Sequence, residues 1–115
     1  GFFYDAKFCD IPATVRTRVR IHRDAGCVTL LSVLAYGGPR MLQEAVQASG
    51  SRMKIAVVTE LTSLSQEVIS QVAKKSIADR VLTFCTWAEQ SGADTIICSA
   101  HEAATIRKHF PKMPI

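Results

Sequence analysis

The chain has 115 residues, 48% of them hydrophobic and 21% charged, with a net charge of +4. Such a composition excludes a disordered or collagen-like chain and predicts one domain, residues 1–115, with a single core. No apolar run approaches the ~18 residues of a membrane span, so no membrane association is expected.

The first element, "FFYDAKF" at residues 2–8, is aromatic and apolar and reads as a buried strand. Asp10 follows as a helix N-cap with Pro12 in the first turn, and the helix runs to about Asp24, where "AG" stops it. Much of the positive charge lies in this helix, in "RTRVRIHR" at 16–23. Arg16, Arg20 and Arg23 fall at helical spacing, with Val15 and Val19 turned elsewhere, which predicts a solvated face. No aromatic residue interleaves with these arginines, so no nucleic-acid partner is expected.

"CVTLLSVLA" at 27–35 is a continuous apolar run and reads as a fully buried strand. "YGGPR" breaks it, and residues 39–49 form a helix ended by Gly50. "MKIAVVTEL" at 53–61 is a third strand, followed by a polar loop. Residues 65–91 predict one long helical region, with Ile77, Val81, Leu82, Phe84, Cys85 and Ala88 on helical period and Gly92 at its end. "DTIICSA" at 94–100 is a fourth strand, "HEAATIRKHF" a helix, and "PKMPI" opens a further apolar segment.

The four cysteines form no CxxC pair, and the three histidines have no ligand spacing, so no metal site is predicted. Cys27 and Cys98 sit in apolar runs and predict core thiols in a reducing cytoplasm. P-loop, GxGxxG and GxSxG motifs are absent.

Strand and helix thus alternate four times with no hairpin signal, which predicts an α/β chain with a parallel sheet. Two architectures fit: a small doubly wound sheet, or part of a TIM (β/α)8 barrel. Asp5, Lys7 and Asp10, then Tyr36 and Gly37, then Thr59, Glu60, Thr62 and Ser63, then Ser99 all fall at C-terminal strand ends. A barrel gathers those ends around one centre, which favours a partial barrel of parallel βα repeats. A full barrel takes roughly 250 residues, so the chain is expected to be about half of one, cut from a longer series.

The pattern D-x-K-x-x-D at residues 5–10 carries the chemistry. Side chains two apart on a strand share a face, so Asp5 and Lys7 point the same way. Close opposite charges favour both ionised forms. An ammonium held in this manner suits proton donation onto a developing carbanion. The bland alternative is a rim ion pair beside a capping Asp, worth only ~0–1 kcal/mol.

"DAKFCDIPATV" resembles the signature of the orotidine 5'-phosphate decarboxylase family, in which D-x-K-x-x-D-I-P-x-T follows the third barrel strand. "AYGGPRML", "VVTELTSLS" and "IICSAHEAATIR" resemble the segments after the fourth, fifth and sixth strands, in order. The resemblance covers the whole chain as barrel units three to six. It implies a cofactor-free enzyme that converts orotidine monophosphate to uridine monophosphate and CO2. By that resemblance Lys7 is the proton donor to C6 and Asp5 lies against the substrate carboxylate. Asp10 completes the array across a homodimer interface, entering a shared active site with Ile11 and Thr14. Thr62 and Ser63 face the pyrimidine amide. Leu34 stands where the family often has His.

The family's first-strand Asp, second-strand Lys and phosphate-gripping loop and Arg belong to units outside these residues. The piece alone is therefore expected to be nearly inactive, because remote phosphate contacts supply energy used at the reacting centre. Two alternatives remain: a related D-x-K-x-x-D sugar-phosphate decarboxylase or aldolase-like barrel, and a non-catalytic half-barrel that self-assembles through open strand edges. "DIP" before Thr14 and the "LTS" of residues 61–63 favour the pyrimidine enzyme over the first of these.

Overall fold

A computed structural model describes residues 1–115, the whole chain. The elements are β1 (Phe2–Phe8), α1 (Pro12–Ala25), β2 (Val28–Leu34), α2 (Pro39–Ser49), β3 (Lys54–Val58), α3 (Gln66–Ser70), α4 (Ile77–Ser91), β4 (Thr95–Ile97) and α5 (Ala100–His109). A short 3-10 turn, Ala35–Gly37, joins β2 to α2. The helices stop where glycine follows them: Gly26 after α1, Gly50 after α2 and Gly92 after α4.

All strand pairs are parallel, and their order is β1-β2-β3-β4. The helices pack in the same sequence: α1 on α2, α2 on α4, α4 on α5. A doubly wound sheet would reverse its strand order at a switch point and place helices on both faces. Strands laid down in chain order beneath one helix layer are wound as a barrel. The apolar tail lies against β4. Ile96 N–H and Thr95 Oγ1 both donate to the Pro114 carbonyl, at 2.9 and 3.0 Å.

The core lies between the sheet and this helix layer. β2 and β3 supply Leu31, Val33, Ile55 and Val57, all at 0% exposure, and the helices cover them with Val15, Met41, Leu42 and Val81. α1 meets this core through Val15 and Val19, as its spacing predicts. Its arginines are not merely solvated. Arg16 pairs with Glu44 at 3.4 Å and Arg23 Nη1 donates to the Ala48 carbonyl at 2.9 Å, tying α1 to α2.

Four expectations change. Asp10 is not the N-cap of α1. Ile11 holds that position with φ −58° and ψ 147°, and Asp10 Oδ1 instead accepts the Ile11 N–H at 2.7 Å. The helical region at 65–91 is two helices, because Ser65 and Ser76 each cap a new start by accepting from Val68 N and Asp79 N. β1 is exposed within these residues, with Phe2 at 55% and Phe3 at 46%, because β2 is the one strand that pairs with it here. Only Cys85 is a core thiol; Cys98 is half-buried, and Cys27 sits at the exposed entry to β2.

Leu31 packs at the centre of β2 with no exposed surface, whereas Val72 is 84% exposed between α3 and α4. We expect Leu31→Ala to cost about 2–5 kcal/mol in urea unfolding. Val72→Ser should stay within about 0.5 kcal/mol of the parent.

Candidate active site

The site begins with a fault in the β1–β2 ladder. Tyr4 pairs with Leu31 and Phe8 with Val33, so β1 takes four steps where β2 takes two. The surplus forms a bulge at Asp5, Ala6 and Lys7, and Lys7 adopts φ +48°, the one positive φ outside glycine. A left-handed non-glycine residue costs roughly 1–2 kcal/mol and persists only where its surroundings hold it.

Ser32 does the holding. The Lys7 N–H donates to Ser32 Oγ at 2.9 Å, and the Ser32 hydroxyl donates to Asp5 Oδ1 at 2.7 Å. The other carboxylate oxygen, Asp5 Oδ2, accepts from Lys7 Nζ at 2.5 Å. The Lys7 hydrogen bond, followed by that of Ser32, holds the Asp5 carboxyl below its ordinary value of 3.8. Both charged side chains keep about half of their exposure, at 41% and 47%.

Lys7 lines a cavity of about 100 Å³ with Val58, Glu60, Leu61, Thr62, Ile97 and Cys98. Those residues stand at the ends of β3 and β4. In a flat sheet β4 would lie three strand spacings from β1, about 14 Å away. The shared cavity shows that the sheet curls and turns its C-terminal ends toward one another.

The loop after β3 is pinned. Arg80 Nε donates to Glu60 Oε2 at 2.7 Å, with side-chain exposures of 17% and 10%, and the Arg80 guanidinium sits over the Phe84 ring at 5.4 Å. Thr62 also faces a second cavity of about 360 Å³, which Ser99, His101 and Glu102 line from the start of α5. Ser99 is already engaged there, since it forms a capping box with Glu102. At the turn after β2, Gly38 has φ +95°, and a Cβ on Gly37 would collide with the Met41 thioether. Gly38 is thus a requirement of the backbone, and Gly37 of the room that the Met41 side chain takes.

Of the residues singled out in the sequence, the structure joins Asp5 to Lys7 and sets Lys7 beside Thr62. It does not bring Asp10 to Lys7 within the chain: Asp10 Oδ2 meets Arg18 at 3.4 Å. Ile11 is 66% exposed, Thr14 is half-buried in the first turn of α1, and neither lines the Lys7 cavity. Ser63 is exposed and lines neither cavity. Ser32 and Arg80 were missed. Ser32 had a signal, as the one polar side chain near the middle of an apolar run. Arg80 had none, since a single Arg on a helix reads as solvated. Burial pushes the Cys85 thiol up to about 12 and raises Cys98 as well, so neither is an activated nucleophile.

Sequential parallel strands, a single helix layer and a charged pair at a curled strand end define a βα-barrel segment bearing an enzyme-type site. The chain belongs to the orotidine 5'-phosphate decarboxylase / HUMPS family, whose model matches residues 2–115. It is 36% identical over 107 residues to the orotidine 5'-phosphate decarboxylase of Streptococcus mutans, covering 91% of this chain and 46% of that protein. The Neisseria meningitidis enzyme of the same name is 34% identical over 112 residues, covering 94% and 45%. The crystal structure of orotidine 5'-phosphate decarboxylase from Lactobacillus acidophilus superposes with a TM-score of 0.84 at 35% identity, covering 92% of this chain and 51% of that one. An uncharacterized conserved protein from Geobacillus kaustophilus superposes at 0.83 with 32% identity. The chain spans about half the length of these relatives, and its fold is that of half a TIM barrel.

The depressed Asp5 carboxyl predicts a pH dependence. A carboxyl whose value falls on folding stabilises fully above its unfolded value, and that contribution is lost as pH drops through the lower folded value. The stability difference between the parent and Asp5→Asn should therefore be flat at neutral pH and shrink as pH falls below 3.8. Urea midpoints measured across that window check it; a difference that grows with acid would contradict it.

Proposed function

We propose that the protein carrying this chain is an orotidine 5'-phosphate decarboxylase, and that these residues supply four of its eight βα units. The observation that carries the reading is the Lys7 ammonium, locked against Asp5 at a strand end and sharing a cavity with Thr62. The bond from C6 of orotidine monophosphate to its carboxylate breaks, its electron pair stays on C6, and CO2 leaves. Lys7 Nζ lies ready to deliver its proton to that carbon, giving uridine monophosphate. Asp5 repels the substrate carboxylate in the ground state and attracts Lys7 throughout, so the charge developing at C6 meets a prearranged donor. Every step uses side chains alone, and the reading includes no cofactor.

Thr62 offers a hydroxyl to the pyrimidine amide, with Ser63 behind it on the same loop. Asp10 and Ile11 are exposed beside the first turn of α1, and Thr14 follows them within that turn. That placement suits delivery into a partner's site, so the active form is a cytoplasmic homodimer with shared active sites. No helix is long and apolar enough to cross a membrane.

The full-length protein should release CO2 from orotidine monophosphate, followed as the loss of substrate absorbance. Lys7→Ala should lower kcat by at least about a hundredfold, the lower end of what a positioned general acid contributes. A full-length parent that leaves the substrate untouched would refute the reading.

A further inference from the structure

We propose that Ser32 is a positioning residue of this site: its buried hydroxyl fastens both ends of the β1 bulge and so fixes where Asp5 and Lys7 stand. The inference rests on the decarboxylase reading for the reaction it serves and on geometry for its mechanism. Ser32 is 0% exposed in a strand whose neighbours Leu31 and Val33 are equally buried and apolar. A hydroxyl in such a place is costly unless it is hydrogen-bonded. Both of its partners lie on β1. Its single proton goes to Asp5 Oδ1, and its lone pair accepts the Lys7 N–H.

The bulge takes Asp5 and Lys7 out of the regular pairing with β2, which resumes only at Phe8 and Val33. One hydroxyl therefore replaces the ladder bonds that the bulge removes. It also sets the carboxylate rotation. With Oδ1 held by Ser32, Oδ2 is the oxygen presented to Lys7 Nζ. Ser32 is not part of the lining of the Lys7 cavity, and its hydrogen bonds go to Asp5 and Lys7, so it acts through them. Without it the Lys7 N–H loses its partner, and the left-handed backbone at φ +48° loses its restraint.

The test compares Ser32→Ala and Ser32→Thr with the parent in the full-length protein. Ser32→Ala should lower kcat by about tenfold to a hundredfold, the penalty of a misplacement near 1 Å. Its KM should stay within about twofold, as expected when reacting groups rather than binding contacts are disturbed. The acid limb of its kcat/KM profile should move to higher pH, because Asp5 loses a hydrogen bond that favours the ionised form. Ser32→Thr keeps the hydroxyl and should restore both the rate and the limb. The Asp5 carboxyl carbon, followed by NMR against pH, should show the same displacement in Ser32→Ala with no turnover needed. An unchanged rate and acid limb in Ser32→Ala would overturn the proposal. So would equal losses in both variants with the Asp5 titration unmoved, since that assigns Ser32 to packing alone. If the parent releases no CO2, the decarboxylase reading falls, and the Asp5 titration by itself decides for or against Ser32.

Discussion

Five consecutive residue pairs, Leu30–Leu34 against Lys54–Val58, run in unbroken parallel register through the centre of the sheet. The rest of the structure hangs on this ladder. A parallel pair is slightly weaker per residue than an antiparallel one and depends on burial. Here α1 and α2 provide that cover, and β3 is buried from Ile55 to Val58. Because the pairing is parallel, both strands deliver their C-terminal ends to the same rim. β2, and the residue that follows β3, each also send one buried hydroxyl outward along the sheet. Ser32 reaches β1 at Asp5, and Thr59 reaches β4 at the Ile97 carbonyl, 3.3 Å away. The outer strands are thus fixed to the centre at the level where the site lies.

Two of the ion pairs at that rim, Asp5–Lys7 and Glu60–Arg80, have surroundings that give them different work. Asp5 and Lys7 are each about half exposed, so their attraction is screened by water and adds little stability. Stability does not explain a weak pair on a strained bulge, and the ammonium it holds faces the cavity shared with Thr62. Glu60 and Arg80 are mostly buried, and removing either partner would strand a charge. Their bond fixes the start of the loop that carries Thr62 to the helix layer behind it. Lys7 sits on a bulge of the edge strand, and Thr62 on a loop tied to α4. The cavity between them is bounded by two independently anchored walls.

Periodicity and punctuation made most of the fold legible. Residues 39–49 were bounded correctly by Pro39 and Gly50, and α1 and α4 ended at their glycines, because those signals are local. The break at 71–76 was also written locally, in Ser76, but the surrounding helical period masked this capping serine. The exposure of β1 was not legible. Phe2, Phe3 and Tyr4 look like core residues, and their exposure here follows from β2 being the one strand beside them in this half of the barrel. Of the site, the Asp5–Lys7 pair followed from strand alternation even though the bulge breaks that alternation. Asp10 was harder, since the sequence offers Lys7 and a capping role as its partners, and the fold gives it Arg18. Ser32 lies 27 positions from Asp5, and a contact at that separation is decided by register, which no local pattern contains.

The bulge itself is where local preference and site chemistry conflict. Glycine would relax the left-handed backbone at position 7 at no steric cost, and asparagine would tolerate it better than most residues. The chain places lysine there. Only lysine ends in a compact ammonium on a flexible stem that can meet Asp5 and still reach the cavity between β3 and β4. The backbone strain is therefore the cost of placing an ammonium at this strand end, and it must be offset nearby. The offset is the Ser32 hydroxyl, together with the Phe8–Val33 pair that returns β1 to the ladder. Strain concentrated at the residue that carries the ammonium, and held there by a buried partner on the next strand, is the pattern expected when a fold is organised around a site.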